Sequence, residues 1–471
     1  MSDEYDEEEE KQAPKHFDWL PSDTIALADG EYDAIIMGTG LTECIISGLL
    51  STKGYRVLHV DRNNYYGADT ASLSLNNLYQ KFRNTSEYPN VLGHARDWNV
   101  DLIPKFIMAC GNLVKILLHT KVTRYLEFKS IDGSYVYKDG KILKVPSTPA
   151  EALSSSLMGF FEKRKFRNFL LYVNDYDKTK PNTFFKGKPL DRVPMKELYN
   201  EYGLDANTQS FIGHAMALHR DDDYIDKPAS ETVEAIQLYI YSMERYGNSP
   251  YIYPLYGLGG LPEGFSRLCA IHGGTFMLNK GIDEILYNDN KAWAVKTGNE
   301  IAKGKVFIGD PSYFGSNKTR VTGKVIRSIC ILDHPIANTD NVESVQIIIP
   351  AVQVKRRNDI YVCMVSSAHN VASKGKYIAI VSTTVETTNP IKEIEVGLQL
   401  LGKILERFDS VTDLYEPVLD GTTDNCYISK SYDATSHFET MANDVLSLYE
   451  RITGEKLDMT ISADNVNDEE Y

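Results

Sequence analysis

The 471-residue chain carries a formal net charge of −15, and hydrophobic residues make up 42% of it. This composition is typical of a soluble globular protein with enough residues for two domains or one large discontinuous domain. The negative charge argues against non-specific binding to nucleic acids, no apolar run is long enough to predict a transmembrane helix, and the six scattered cysteines predict neither a disulfide framework nor a zinc site.

Acidic runs mark both ends of the chain. The first ten residues contain seven carboxylates, unlike the basic and apolar start of a secretory signal. We therefore expect residues 1–30 to form a disordered acidic extension and the protein to be cytoplasmic. The C-terminal segment, residues 446–471, ends in a second acidic tail.

A glycine-containing turn follows the first predicted strand, residues 32–37. Gly38 and Gly40 match the first two glycines of a dinucleotide-binding turn, which permit the tight bend and the approach of a pyrophosphate. The third position normally holds a small residue, but here it is Glu43. Its carboxylate would compete with a phosphate for the N-terminus of the following helix. The sequence therefore predicts a nucleotide-binding scaffold that holds no cofactor.

The rest of this unit fits the same scaffold. Thr42 is predicted to cap a helix that extends to about Thr52, and a second strand covers residues 55–60. Asp61 follows that strand, at the place where a dinucleotide-binding enzyme has its ribose-binding carboxylate. A flavin-dependent oxidoreductase is therefore an alternative interpretation.

Helical periodicity dominates the middle of the chain. It covers Asp101 to His119 and predicts several helices within residues 147–246. The apolar positions of these helices either fill the core of a helical domain or line a cavity for an apolar ligand. The candidate cavity residues are Leu157, Phe160, Phe161, Phe211, Ile212, Met216, Ile236 and Ile240.

Strands return after the helical region. Four later strands are predicted at residues 325–332, 344–350, 359–366 and 376–384, with a helix from about Pro390 to Phe408. The succession resembles the return half of flavoprotein-type folds. We therefore predict an α/β fold with a discontinuous FAD/NAD(P)-binding, Rossmann-type domain, residues 31–146 and 247–445, and an inserted helical domain, residues 147–246.

Catalytic motifs are missing from the sequence. It contains no serine nucleophile elbow, no HExxH motif and no phosphate-binding P-loop. His214 and His219 are five residues apart, too far around a helix for joint metal ligation, and His369 and His437 have no evident catalytic partner. We therefore expect neither a metal site nor an enzyme.

The segment after Asp61 reads Arg-Asn-Asn-Tyr-Tyr-Gly-Ala, and here the chain resembles the Rab GDP dissociation inhibitors. Similar strings follow in the same order over nearly the whole chain. They include Arg96–Phe106, Lys144–Thr148, Tyr246–Tyr251, Tyr253–Gly259, Asp310–Tyr313, Asp359–Met364, Ala368–Asn370, Thr383–Thr387 and Ser436–Thr440. The related Rab escort proteins share the fold but are usually longer, and they form a second alternative.

The resemblance implies a monomer that binds GDP-bound, geranylgeranylated Rab GTPases, slows GDP release, extracts them from membranes and carries them through the cytosol. It implies transient membrane contact and a flavoprotein-like domain without a cofactor. The matching motifs place the Rab-binding surface at Tyr66, Arg96, Gly260, Arg267, Thr275 and Met277. They place the site for the flexible Rab C-terminus at Arg124, Tyr125, Phe128, Tyr135 and Tyr137. The prenyl group would bind among the candidate cavity residues of the helical domain.

Three positions depart from the family pattern. Gly260 stands where the family has glutamate, Ala68 where it has a second glycine, and His94 where arginine is common. The loss of a polar side chain at position 260 removes a contact from the Rab-binding surface. We expect these departures to change the affinity for the partner rather than its class.

Overall fold

The computed structural model describes residues 17–146 and 160–459, which form two large sheets and an inserted group of helices. The strands are β1 Ile25–Met37, β2 Val57–Val60, β3 Ser72–Leu73, β4 Val100–Asp101, β5 Ile107–Met108, β6 Phe128–Ser130, β7 Gly133–Lys138, β8 Lys141–Lys144, β9 Tyr251–Pro254, β10 Thr275–Met277, β11 Glu284–Asn288, β12 Lys291–Thr297, β13 Glu300–Gly309, β14 Thr319–Leu332, β15 Val345–Ile349, β16 Ile360–Ser366, β17 Tyr377–Thr384, β18 Glu406–Pro417 and β19 Cys426–Ile428. The α-helices are α1 Leu41–Thr52, α2 Leu75–Arg83, α3 Asn112–His119, α4 Phe160–Asp175, α5 Met195–Glu201, α6 Ala206–Phe211, α7 Ala229–Tyr246, α8 Gly260–Ile271, α9 Pro390–Glu393, α10 Glu395–Leu400 and α11 Glu439–Thr453.

The first sheet contains the predicted nucleotide-binding unit. Its order is β10-β2-β1-β13-β12-β11, and β19 pairs with the last residues of β13. Neighbours from β10 to β13 run parallel, so crossover connections place helices on the sheet and its strands become apolar on both faces. The turn between β1 and α1 therefore lies at the carboxyl ends of the parallel strands, where α/β sheets bind their ligands.

The second sheet has the order β18-β14-β17-β16-β15-β7-β8. It is antiparallel except for the pair of β15 and β7. The four strands predicted between residues 325 and 384 are all present in it. β16 is buried throughout, because its two faces pack against separate apolar clusters.

The inserted helices lie between β8 and β9. Within the described part of this region, α4, α5, α6 and α7 bury a set of large aromatic rings, among them Phe166, Phe169, Tyr199 and Tyr239. A π-helical turn, Ile212–Met216, directly continues α6. The predominantly helical character predicted for residues 147–246 is thus present, and residues 147–159 lie outside the described residues.

Three predicted helix limits are wrong. Thr42 does not cap α1, because the helix begins at Leu41 and Gly40 occupies the N-cap position without a side-chain bond. Of the stretch Asp101 to His119, only α3 is helical, since β4 and β5 use its first part for pairing. The helix predicted to reach Phe408 ends near Gly402, whose φ of +70° favours glycine, and Phe408 lies in β18.

The N-terminal boundary also differs from the prediction. β1 begins at Ile25, which pairs with Glu300, although residues 1–30 were expected to be disordered. Before the strand, the indole of Trp19 donates a hydrogen bond to Glu31 (2.7 Å), and its ring lies 6.2 Å from that of Trp293. Aromatic packing therefore attaches this part of the extension to the first sheet. Residues 1–16 lie outside the described residues.

The C-terminal boundary predicted at residue 446 falls inside α11. The apolar face of this helix is buried over its whole length, through Met441, Val445 and Leu448. α11 is therefore one packed element that crosses the predicted boundary. Residues 460–471, which include the acidic tail, lie outside the described residues.

Candidate functional site

Glu43 fills the glycine turn. Its side chain is 2% exposed, and one carboxyl oxygen accepts a hydrogen bond from Ser429 (2.6 Å). The other oxygen lies only 2.5 Å from the place where a β-carbon on Gly40 would be. Burial raises the pKa of Glu43 to about 8, and the negative charge of Asp310 adds to the increase. The group at the helix N-terminus is therefore mostly a neutral acid at pH 7, and it blocks a phosphate by occupying its space rather than by the charge that we predicted.

Asp61 is fully buried and bonded within the protein. One of its oxygens accepts hydrogen bonds from the backbone N–H (2.7 Å) and the hydroxyl (2.5 Å) of Thr39, and the other accepts the N–H of Asn63 (2.7 Å). A ribose-binding carboxylate needs a free oxygen that faces the ligand, but each oxygen of Asp61 already accepts two hydrogen bonds from Thr39 or Asn63. Together with Glu43, this arrangement does not fit a dinucleotide cofactor.

The turn between β1 and α1 also holds the backbone beside Tyr66 in place. The N–H of Gly67, the next residue, donates to the carbonyl of Thr39 (2.9 Å), and Thr39 is fixed in turn by Asp61. Gly67 has a φ of +100°, a conformation that favours glycine, so the chain can reverse immediately after Tyr66. The turn therefore fixes the backbone directly after an aromatic side chain.

Tyr66 contacts β10, the strand of Thr275 and Met277, at the edge of the first sheet. The ring of Tyr66 lies 6.1 Å from that of Phe276, the middle residue of β10. β10 is the edge strand, and the carbonyl of Met277 accepts a bond from the N–H of Asp61. Tyr66 and the three residues of β10 are half-buried, so they offer ring and side-chain surface to a partner.

Arg267 connects the two predicted binding regions. It is exposed on α8, and its guanidinium lies 4.5 Å from the centre of the Tyr125 ring. Gly260 begins the same helix, and a β-carbon there would lie 3.1 Å from a methyl of Leu126. Phe128 follows in β6, which pairs with β9. The structure therefore places Arg267 and Gly260 beside the 125–128 segment.

The remaining residues of the two sets lie elsewhere. Arg96, in a 3₁₀ turn at residues 95–97, has a side chain that is 84% exposed, with its Nε 3.9 Å from Asp97. Arg124 precedes Tyr125 in another 3₁₀ turn. Tyr137, in β7, is partly buried against the core of the second sheet. Tyr135 is 3% exposed, and its hydroxyl bonds Asp340 (3.3 Å), so it belongs to the core rather than to a surface.

The candidate cavity residues are tightly packed where they are described. Phe211, Ile212, Met216 and Ile236 are buried, and Ile240 is half-buried. A cavity that touches Phe211 has a volume of about 20 Å³, less than an isoprenoid needs. Leu157 and the side chains of Phe160 and Phe161 lie outside the description. In this conformation the described helices are closed over their core.

Tyr256 was not predicted as a site residue. It is 63% exposed and has a φ of +67°, which is strained for a bulky residue. Its N–H donates to the carbonyl of His369 (2.9 Å), and the carboxylate of Asp101 anchors the loop by accepting the N–H of Leu258 (3.0 Å) and the hydroxyls of Ser72 and Tyr253. The sequence signal was Tyr256 itself, which directly precedes Gly257 in the string Tyr253–Gly259.

His214 forms a buried charged cluster that the sequence did not reveal. Its two ring nitrogens lie 2.8 Å from Asp359 and 3.1 Å from Asp222. Burial disfavours the charged ring, but the two carboxylates raise the pKa of His214 to about 9. The protonated ring therefore fastens the loop that carries Asp222 to the start of β16.

Two further properties bear on the class of the protein. Among the described residues, no helix is long and apolar enough to cross a membrane. Within the same residues, no group of three or more histidine, cysteine or acidic side chains is arranged to hold a metal ion.

Comparisons with known proteins agree on one family. The family model described as GDP dissociation inhibitor matches residues 28–464. A probable secretory pathway GDP dissociation inhibitor 1 from Schizosaccharomyces pombe is 58% identical over 430 residues, which cover 91% of this chain and 97% of that protein. The crystal structure of a Rab GDI from Plasmodium falciparum superposes with a TM-score of 0.88 at 50% identity, covering 91% of this chain and 99% of that one.

The fold is shared more widely. The crystal structure of an oxidoreductase from Methanosarcina mazei superposes with a TM-score of 0.57 at 16% identity, over 89% of this chain and all of that one. At this identity the likeness concerns the fold alone. The predicted FAD/NAD(P)-binding type of α/β fold is therefore confirmed.

Proposed function

Since the chain belongs to the GDP dissociation inhibitor family, we propose that it binds GDP-bound, geranylgeranylated Rab GTPases. Bound to such a GTPase, it slows the release of GDP, extracts the lipidated protein from membranes and carries it through the cytosol as a one-to-one complex. The observation that carries this proposal is the family match over residues 28–464. A solved structure that aligns with 91% of the chain at 50% identity is that of a Rab GDI.

The proposed role is regulatory and needs no cofactor. Glu43 occupies the space above Gly40 where a phosphate would lie, and Asp61, which would bind a ribose, is bonded to Thr39 instead. The turn instead fixes the reversal of the chain after Tyr66 through Gly67. A scaffold of the nucleotide-binding type thus supports the recognition of another protein.

We assign the main Rab contact to six residues, here called the edge platform: Tyr66, Thr275 and Met277 at the edge of the first sheet, Gly260 and Arg267 on α8, and the separate, exposed Arg96. Tyrosine and arginine are frequent anchors of interfaces, because they combine a large contact area with hydrogen bonds. Tyr66 is supported from below by Phe276, and Arg267 is pre-oriented by Tyr125. Such support lowers the entropy that each side chain loses on binding.

The flexible C-terminal segment of the GTPase is assigned to the neighbouring surface around Arg124, Tyr125 and Phe128. The exposed Tyr256 extends this surface, because Leu255 bonds the carbonyl of Glu127 (2.9 Å) and so places the loop beside it. Tyr137 lies at the rim of the second sheet, and the buried Tyr135 supports it from the core. An extended peptide here would gain affinity from aromatic pockets.

The prenyl group is assigned to the helical insert. Burial of each methylene is worth about 0.8 kcal/mol both in a protein and in a bilayer, so an apolar pocket can compensate for the loss of the membrane. The buried Phe211, Ile212, Met216 and Ile236 would supply that pocket after the helices separate. Leu157, Phe160, Phe161 and Ile240 complete the proposed lining.

Extraction of a GTPase from liposomes tests the proposal. Liposomes loaded with geranylgeranylated Rab–GDP are incubated with the purified chain, and the released fraction is measured after sedimentation. The native chain should release most of the Rab, whereas the double variant Tyr66→Ala/Arg267→Ala should need a concentration at least about tenfold higher. A matched control, Tyr287→Ala/Arg320→Ala, removes an exposed tyrosine and an exposed arginine elsewhere and should behave like the native chain.

The same preparation separates the alternatives. If the chain releases no Rab but strongly stimulates geranylgeranyl transfer to unprenylated Rab, it is an escort protein. If the purified chain is yellow and absorbs at roughly 450 nm, as oxidised flavins do, the result supports the oxidoreductase interpretation. Release without either property supports the inhibitor.

A further inference from the structure

The helical insert contains a basic segment in an acidic protein. Residues 160–192 include nine lysines and arginines but only four acidic residues, whereas the whole chain has a net charge of −15. The net charge of this segment is therefore +5. The edge platform and the prenyl site leave these charges without a role.

Part of this positive charge lies on the solvent-exposed face of α4. Phe166, Phe169 and Val173 are buried and face the core of the insert. Arg164, Arg167 and Leu171 are exposed and are spaced by three and four residues, which places them along one outer face of the helix. Leu171 is 46% exposed and adds apolar surface to this face.

Among seven of the nine cations of this segment, four are paired with a carboxylate and three are not. Lys165, Lys178, Lys180 and Lys186 each lie within 3.2 Å of a carboxylate. By contrast, Arg164 and Arg167 have no carboxylate within 4 Å among the described residues, and the same holds for Lys188. These three side chains are available to an external anion.

Lys188 lies on a turn that packs against α4. Phe185 contacts Tyr172 of the helix, with ring centres 6.4 Å apart, and the N–H of Leu190 donates to the hydroxyl of Tyr176 (3.3 Å). The exposed acids of the same stretch are Asp175 and Asp191. Cations therefore predominate on this part of the surface.

We propose that the outer face of α4, with Arg164, Arg167, Leu171 and Lys188, contacts an anionic phospholipid surface. The cations pair with lipid head groups, and Leu171 enters the boundary between head groups and acyl chains. Each lysine or arginine near such a surface contributes about fivefold to affinity. The acidic remainder of the chain is repelled by the same lipids, so this face turns toward the membrane.

The use of this face during extraction rests on the function proposed above, whereas the binding to lipid does not. α4 belongs to the insert that would hold the prenyl group. Contact of its outer face with the bilayer would bring that insert to the lipid that it must receive. Vesicle binding can be measured without any GTPase, so a failure of this inference is distinct from a failure of Rab extraction.

Cosedimentation with vesicles tests the inference. The full chain is mixed, at about 50 mM salt, with phosphatidylcholine vesicles and with vesicles that contain about 30% phosphatidylserine. We expect binding to the anionic vesicles only, reduced by added salt. Arg164→Gln/Arg167→Gln should weaken it about 25-fold, as two cations are lost. Leu171→Ser should weaken it severalfold without a change of charge.

A control with the same change of net charge completes the test. Lys291→Gln/Lys374→Gln removes two exposed lysines outside the segment and should alter binding by less than about twofold. The inference is overturned if the native chain does not distinguish the two kinds of vesicle, or if the control loses as much binding as the arginine variant. It is also overturned if Leu171→Ser has no effect on vesicle binding. Binding would then depend on charge alone, which suits an acidic protein partner instead of a bilayer.

Discussion

Replacement of Glu43 by glutamine is expected to stabilise the protein, increasingly so as the pH rises. Glutamine has the same shape and retains an oxygen that accepts the bond from Ser429. Glutamine does not ionise, so the folded chain never has to bury a charge at this position. The pKa of Glu43 rises from 4.5 to about 8 on folding, mainly through burial, with Asp310 adding to the shift.

The sign and the size follow from this shift. An acid that binds its proton more tightly in the folded state contributes most below the unfolded pKa of 4.5 and loses that contribution as the pH rises toward 8. At pH 7 the carboxyl group of Glu43 is ionised in the unfolded chain and protonated in the folded chain. Compared with a side chain that does not titrate, this difference lowers the free energy of unfolding by about 3 kcal/mol. Glu43→Gln does not incur this cost.

Urea unfolding at about pH 5, 7 and 8.5 measures the effect. The difference in the free energy of unfolding between Glu43→Gln and the native chain should be under about 1 kcal/mol at pH 5 and grow to about 3 kcal/mol at pH 7. Glu450→Gln, an exposed substitution on α11, should show no such trend. A glutamine variant that is less stable than the native chain at pH 8.5 would refute the reasoning, because Glu43 would then be a stabilised carboxylate.

Four further substitutions have defined outcomes. Tyr256→Gly removes both the left-handed strain and the ring, so thermal unfolding should show a gain of about 1 kcal/mol while peptides of the Rab C-terminus bind more weakly; a loss of stability would contradict this account. Ala68→Gly, at a φ of +46°, should also stabilise by about 0.5–1 kcal/mol in the same assay, whereas a destabilised variant would contradict the backbone argument. Gly260→Glu adds an acid to the first turn of α8 and should tighten Rab binding about tenfold in titration calorimetry, and unchanged affinity would exclude a polar contact there. Asp222→Asn should lower the pKa of His214 below about 9, as followed by NMR titration, so that the stabilising charge is lost at a lower pH; an unchanged pKa would mean that Asp359 acts alone.

The elements with strong local signals could be predicted from the sequence. The turn at Gly38 and Gly40, the four later strands and the helical insert carry regular patterns or glycines that few conformations satisfy. The class of fold followed from their order. Local patterns failed where tertiary pairing decides, as at Phe408, whose strand exists because β14 lies beside it.

The candidate site was less predictable because burial and distant partners determine it. The sequence identified Glu43 as the unusual residue of the turn, but not that burial and the charge of Asp310 favour its neutral form against the hydrogen bond from Ser429. Likewise, His214 pairs with Asp359, 145 residues away. Tyr135 and Tyr137 lie on the same face of β7 and pack against the same apolar cluster, yet only Tyr135 is fully buried.

The rate of GDP release from a geranylgeranylated Rab tests the central claim most directly. A fluorescent GDP analogue is loaded, and its dissociation is followed at increasing concentrations of the chain. The account predicts a saturable slowing that Glu43→Gln retains and that Tyr66→Ala shifts to higher concentrations, because the turn supports the fold while Tyr66 meets the partner. Unchanged release with the native chain, or equal slowing by Tyr66→Ala, would contradict it.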